Sequence, residues 1–316
     1  MRVIVTGAAG YIGGETVLKL LDAGHSVVAI DQNMPSVHLL ACGAKWHVED
    51  FASEGSLDCI RTFEPEAIIH CAGTSLVGPS MLNPEEYYEN NFVKTKIMLD
   101  YLVKNKFTNI RIIFSSSAAT YGDPVMTPVQ EVDPTEPISP YGQSKLMIDW
   151  MLKSYRLAYG IDFVSFRYFN ACSADSQGRH GQANCATHII ARVLEAMRDR
   201  QPFTLNGTDY PTEDGTCVRD YVHVEDLASA HIKAMDHFIP SDIYNLGTAE
   251  GTSNAKIIDA ARTITGKTID VIVGPQRPGD PAVLTADSAK FRSVSGWKPQ
   301  FTLNDIITHA WAWYNR

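Results

Sequence analysis

Met1-Arg2-Val3-Ile4-Val5-Thr6-Gly7-Ala8-Ala9-Gly10-Tyr11-Ile12-Gly13 is the stretch that decides the fold. Val3 to Thr6 is a short apolar, β-branched run, the composition of a buried strand. Glycines follow at 7, 10 and 13, and Glu15 to Leu21 carries apolar residues at Val17, Leu18, Leu20 and Leu21 before Gly24 stops the helix. Strand, glycine turn and helix in succession bring free backbone N–H groups and the positive end of a helix dipole to one place. That is a cradle for a pyrophosphate. The spacing is G-x-x-G-x-x-G, not the commoner G-x-G-x-x-G.

Val27 to Ile30 is the next strand. It ends at Asp31, eighteen residues past Gly13. A carboxylate there accepts hydrogen bonds from both adenosine ribose hydroxyls and repels a 2′-phosphate. No Arg or Lys occurs among residues 32–37, so the pattern favours NAD over NADP. A third strand is read at Val48-Glu49-Asp50-Phe51, and Asp50 at its end is either a partner for an adenine amino group or a solvated loop acid. Ala67 to Ala72, Ile110 to Phe114 and Phe163 to Phe166 are further β-rich runs, with helical stretches around Glu85 to Val103 and Tyr141 to Leu157. Near-continuous apolar strands separated by helices indicate a parallel sheet covered on both faces. The fold class is therefore α/β, a Rossmann-type doubly wound parallel sheet.

The rhythm changes after Tyr168. Residues 171–187 are a polar stretch with no period, the length of a lid or binding loop. Shorter elements follow: helices near 189–199, 254–265 and 303–314 and strands near 203–206, 220–224 and 242–246. The reading is a first domain at 1–167, joined again by 220–248, and a smaller α/β domain at 168–219 and 249–316.

The 316 residues carry 27 Lys+Arg against 36 Asp+Glu, a net charge of −9. A field of that sign argues against nucleic acid or an anionic membrane as the partner. Six scattered cysteines without a C-x-x-C pair read as free thiols, and no leader or membrane span is visible, so the expectation is a cytoplasmic protein. The histidines include no H-E-x-x-H, so no metal site is expected, and no G-x-S-x-G elbow is present. His231 and His237 read as structural, and Trp311, Trp313 and Tyr314 as packing residues of the last helix.

Chemistry enters at two later places. Phe114-Ser115-Ser116-Ser117-Ala118-Ala119 leaves a strand at its carboxyl end, where open α/β sheets bind ligands. Ser139-Pro140-Tyr141-Gly142-Gln143-Ser144-Lys145 opens a helix with Tyr141 and Lys145 on one face. A phenol near its ordinary pKa of ~10 is a poor base at neutral pH. A nearby ammonium is expected to lower that value, so that Tyr141 can take a proton from a sugar hydroxyl while Ser117 holds it in line.

With these motifs in view the chain resembles the extended short-chain dehydrogenase/reductases, and within them the UDP-glucose (UDP-galactose) 4-epimerase family. The resemblance runs nearly end to end. It rests on Thr6 to Gly13, Pro84 to Asn91, Phe114 to Ala118, Ser139 to Lys145, Arg167-Tyr168-Phe169-Asn170, Gly207 to Val224 and Arg277-Pro278-Gly279-Asp280. The resemblance implies Tyr141 as catalytic base and acid, Lys145 as its partner and a ribose contact, and Ser117 as hydroxyl relay. It implies an NAD site from Gly7, Gly10, Tyr11, Ile12, Gly13, Asp31, Asp50, Phe51, Ala72, Gly73 and Asn90. Asn170, Arg219, Arg277 and Asp280 are implied to hold a UDP-sugar, with Arg suited to the pyrophosphate by its planar fork. A homodimer through helices of the NAD domain is implied as well. The implied reaction passes the C4 hydride to NAD and back to the other face of a 4-keto sugar.

Three positions depart from the family pattern. Ser75 stands where some members carry Lys, and Ala119 where some relatives carry Thr. Leu284 stands at the position resembling the gatekeeper for sugar size, which leaves N-acetylhexosamine and pentose substrates as alternatives. A 4,6-dehydratase is disfavoured because no carboxylate follows Ser117. A net oxidoreductase releasing NADH remains the other alternative. A catalytically dead NAD-binding module is disfavoured by the presence of both Tyr141 and Lys145.

Overall fold

Alternate residues of each strand point to opposite faces of a sheet, and here both faces are apolar. Val3, Val5, Val27, Ala29, Ile69, Ile113, Val164 and Phe166 belong to one core, and Ile4, Val28, Ile30, Ile68, Ile112, Phe114 and Phe163 to the other. A strand buried on both sides must sit inside a parallel sheet with helices above and below. The computed structural model, which describes residues 1–182, 188–276 and 280–316, has that architecture.

In chain order the strands are β1 (Arg2–Thr6), β2 (Ser26–Asp31), β3 (Lys45–Val48), β4 (Ala67–His70), β5 (Arg111–Ser117), β6 (Phe163–Tyr168), β7 (Asn170–Cys172), β8 (Phe203–Asn206), β9 (Val218–His223), β10 (Asp242–Leu246), β11 (Gly251–Ser253), β12 (Val271–Gly274) and β13 (Val283–Leu284). The large sheet has the order β10-β6-β5-β4-β1-β2-β3 and is parallel throughout. The order reverses between β1 and β4, so the carboxyl ends of these two strands open the crevice where such folds bind ligands.

The third strand lies earlier than its reading at 48–51. β3 is Lys45–Val48, and Asp50 falls in the turn beyond it. As an edge strand, β3 has exposed and half-buried positions, so it lacks the continuous apolar run that marks its neighbours. The helical stretch at 85–103 is also divided. Pro84–Tyr87 is α-helical, Tyr88–Val93 is a π-helical turn, and Lys94–Lys104 is α-helical again.

The stretch 220–248 splits between the two parts. β9 pairs with β7, β11 and β13 in a small sheet, the helix Val224–Lys233 packs on the first helix Tyr11–Asp22, and β10 joins the large sheet. A third core fills the smaller part, with Val193, Leu194, Phe203, Tyr221, Ile257, Ile307 and Tyr314, and Trp311 and Trp313 pack against it. Of the polar stretch 171–187, residues 183–187 lie outside the described residues; Ala174 bridges to Gly181 within it. The five described cysteines are free, and Cys185 falls in the undescribed stretch. Among the described residues no helix is long and apolar enough to cross a membrane.

Arg111 is the largest fully buried side chain. Its guanidinium donates to the carbonyls of Ala234 (2.7 Å) and Ile239 (2.5 Å), pinning the end of the Val224–Lys233 segment to β5. Arg111→Met keeps the volume and leaves both carbonyls without their donor. Urea unfolding is expected to show a loss of about 2–4 kcal/mol; an unchanged midpoint would contradict this anchoring role.

Candidate active site

The turn after β1 has no room for side chains. A Cβ on Gly13 would lie 2.1 Å from the Gly7 carbonyl oxygen, and one on Gly7, where φ is +69°, 2.5 Å from Ala72 N. Gly7 and Gly10 therefore present bare backbone to the cleft, and Asp31, Asp50, Phe51, Ala72, Gly73 and Asn90 line the same cleft. Asp31 is held in place: Oδ2 accepts from Ala9 N (3.0 Å) and Oδ1 from Asn33 N (2.8 Å). Phe51 packs edge-on against the buried His70 ring. A bare backbone cradle at a helix N-terminus, with a carboxylate at the end of the second strand, fits a dinucleotide.

Tyr11, Ile12 and Gly13 sit one layer back, in the first turn of the helix. The Tyr11 hydroxyl donates to Ser173 O (2.8 Å), the His180 ring bonds Tyr11 O (2.9 Å), and Ile12 packs partly buried on the core.

Ser117 ends β5, and its hydroxyl accepts from Ala119 N (3.1 Å). The helix Pro140–Tyr159 starts with Ser139 as N-cap and Pro140 in the first turn, which brings Tyr141 to the crevice. Its close approach depends on Gly142, where a Cβ would lie 2.4 Å from Ala119 O. Lys145, one turn on, is buried; its Nζ donates to Ser115 O (2.8 Å) and lies 5.9 Å from the centre of the Tyr141 ring. Burial brings the Lys145 pKa down to about 8, against the opposing pull of Cys71 and Asp149, so it stays mainly protonated at neutral pH.

Tyr141 departs from the expected direction. Enclosure of its phenol raises the pKa, the Ser117 hydroxyl pulls it down, and Tyr87, whose ring stands edge-on 6.3 Å away, pushes it up. Lys145 spends its charge on the Ser115 carbonyl and does not offset the desolvation.

On the far side of the crevice, Asn170 donates to Asp220 O (2.9 Å), and Arg219, half of whose fork is free of carboxylates, bonds Asp280 Oδ1 at 2.6 Å and Val218 O at 2.8 Å. Leu284 pairs in register with Arg219 across β13 and β9 and packs with Phe169 against the small cluster of Ala118, Tyr121 and Val129. Arg277 lies outside the described residues.

Three features escape sequence reading because their partners are far apart in the chain. Asn91 is buried and binds Thr74 N and Thr74 O on one side and Ser144 Oγ on the other, tying the loop after β4 to the Tyr141 helix. Lys94 joins Asp50 to Asn90. Glu15, Asp175 and Glu225 bring carboxylate oxygens within 4.8 Å of one another beneath the first helix. Cations already occupy that group: Lys19 lies 2.5 Å from Glu225, and Arg179 lies 2.8 Å from Asp175.

Such a sheet, with its dinucleotide turn and its Ser, Tyr and Lys side chains at one crevice, defines a dinucleotide-dependent α/β enzyme. The model of the NAD dependent epimerase/dehydratase family matches residues 3–247, and the chain belongs to that family. It is 42% identical to the UDP-glucose 4-epimerase of Halalkalibacterium halodurans over 99% of this chain and 96% of that protein. Among solved structures it is similar to the Brucella ovis UDP-glucose 4-epimerase in complex with NAD, with TM-score 0.94, 36% identity and 99% and 98% of the two chains covered. It is also similar to the Bifidobacterium longum UDP-glucose 4-epimerase in complex with NAD+ and UDP, with TM-score 0.91, 34% identity and the same coverage.

Glu15 supplies a test of the buried network. Both its oxygens are buried without a hydrogen-bond partner, and burial, with Asp175 and Glu225 nearby, raises its pKa from 4.5 to about 8. The unfolded chain ionises this group near 4.5 and the folded chain near 8. Folding therefore takes up a proton between these values, and stability falls as pH rises through them. Glu15→Gln is expected to melt about 3 °C or more above the parent at pH 8, with the gap closing toward pH 5. A gap independent of pH would contradict the assignment.

Proposed function

We propose that the chain interconverts a UDP-hexose pair differing at C4, UDP-galactose and UDP-glucose, with NAD retained between turnovers. The observation that carries this reading is the approach of the Tyr141 and Ser117 hydroxyls at the carboxyl end of β5, followed by Ala118 and Ala119. A proton acceptor stands there without any carboxylate that could eliminate water across neighbouring carbons.

The roles proposed here are those that the family resemblance implies. Asn170, Arg219, Asp280 and Arg277 hold the UDP moiety, with the guanidinium of Arg219 turned from Asp280 toward phosphate oxygens. Leu284, beside Ala118 and Phe169, bounds the space for the sugar. Gly7, Gly10, Asp31, Asp50, Phe51, Ala72, Gly73 and Asn90 hold the dinucleotide on the opposite wall, supported from behind by Tyr11, Ile12 and Gly13. NAD, when bound, supplies the hydride acceptor and donor at C4 and a positive charge beside the phenol. Tyr141 takes the 4-hydroxyl proton through or beside Ser117 and returns it after the 4-keto sugar turns over. Lys145, protonated and fixed on Ser115 O, would also hold the cofactor ribose. Because burial raises the phenol pKa, ionised Tyr141 belongs to the loaded site.

The same reading places the enzyme in the cytoplasm and pairs two copies through the helices Lys94–Lys104 and Pro140–Tyr159. These helices are joined by the Tyr155–Asp100 hydrogen bond. They expose Ile97, Trp150 and Leu157, and Val93 is exposed at the start of the first. Trp150→Glu is expected to move the protein from dimer to monomer in light scattering; a monomeric parent protein would overturn the pairing.

Proton NMR of UDP-galactose with purified protein and no added cofactor tests the activity. The anomeric signal of UDP-glucose is expected to grow to equilibrium. Steady release of NADH, or a 4-keto-6-deoxy product, would overturn the reading. Tyr141→Phe is expected to lower kcat by about 10²–10⁴-fold while the protein still carries NAD; normal turnover in that variant would remove Tyr141 from the mechanism.

A further inference from the structure

Lys94 is the first residue of its α-helix and lies one turn beyond Asn90, which sits in the π-helical turn. Its ammonium reaches back over that turn into the cleft. Nζ lies 2.6 Å from Asp50 Oδ2 and 2.7 Å from Asn90 Oδ1. Among the described residues that line the cleft, Lys94 is the one cationic side chain, facing two carboxylates, Asp31 and Asp50.

This ion pair is not an ordinary surface pair. The Lys94 and Asp50 side chains are 23% and 28% exposed, so solvent and salt screen them only in part. Both partners are also fixed from the other side. Asp50 Oδ1 accepts from Ala52 N (2.9 Å), and the Asn90 amide nitrogen donates to Thr74 Oγ1 (2.9 Å). With one donor on each oxygen, the Asp50 carboxylate still has lone pairs for a further donor, because a carboxylate offers about four acceptor sites.

We propose that Lys94 is a positioning residue for the adenosine end of the dinucleotide. It holds the Asp50 carboxylate at the angle at which an exocyclic amine can donate to it. It also offsets one of the two negative charges that an anionic cofactor meets on this wall. The inference rests on the NAD-dependent reading above and assigns to Lys94 a role in cofactor retention.

The experiment uses the holoenzyme. Release of bound NAD is followed by trapping it with a second NAD-consuming enzyme, at low and high ionic strength, for the parent, Lys94→Met, Lys94→Arg, Asp50→Asn and the double variant Asp50→Asn/Lys94→Met. Lys94→Met is expected to release NAD about tenfold faster, the loss of roughly one charge-assisted hydrogen bond. Added salt is also expected to slow its release more than that of the parent, because salt screens the repulsion from the uncompensated Asp50 carboxylate, a change that a purely structural role would not produce. Lys94→Arg is expected to restore slow release. In the Asp50→Asn background Lys94→Met is expected to add less than about twofold, because its partner is already neutral. Unchanged release in Lys94→Met overturns the proposal. So does an undiminished effect in the Asp50→Asn background, which would mean direct contact with the cofactor. A parent protein that neither carries nor takes up NAD fails the functional reading itself, and is told apart because no release is then seen in any variant.

Discussion

The first helix has to begin directly on the end of β1, with no atom to spare between them. The distances a Cβ would have from the Gly7 carbonyl and from Ala72 N leave only backbone at this junction. That constraint sets the depth of the cofactor cleft, because β4 and its following loop are pressed against the same turn. It also fixes where β2 ends, and therefore where Asp31 stands. The helix Pro140–Tyr159 is built on the same device: Gly142 lets it approach the Ala119 carbonyl, which carries Tyr141 to the crevice. Close backbone contact at two places brings the glycine turn and the Tyr141 phenol toward one crevice.

How much of this the sequence displays depends on whether a feature is local. The strands β1, β2, β4, β5 and β6 are legible because each is a β-branched run buried on both faces. β3 is misplaced by three residues because an edge strand has no such run. The glycine turn, Asp31 and the Tyr141–Lys145 spacing are legible because each lies within a few residues of a recognisable element. The direction of the Tyr141 pKa is not legible. Helical spacing puts Lys145 on the right face, but only the fold shows its ammonium committed to Ser115 O. Asn91, Lys94 and the Glu15 group are silent in sequence for the same reason, since Thr74 lies 17 residues from Asn91, Asp50 lies 44 from Lys94, and Glu225 lies far along the chain from Glu15.

The charges of the site are arranged around burial. Burial brings the Lys145 pKa down while leaving it mainly protonated, His70 and His231 are held uncharged in the core, and Glu15 stays protonated in the first helix. The acidic wall of the cleft at Asp31 and Asp50 is the exception.

The segment from Ser173 to Gly181 belongs by position to the smaller half of the molecule, yet Ser173, His180 and Arg179 bond it to Tyr11 and Asp22 of the first helix, and Ser176 bonds it to Glu225 of the helix packed on that one. It also carries contacts from the last helix, where Ser173 bonds Ile306 O and the Trp313 ring covers Gly181. The two halves are thus not interchangeable parts. A chimaera joining the first half of this chain to the second half of a relative would cut across that segment, and would inherit a glycine turn whose rear support had been left with the other parent.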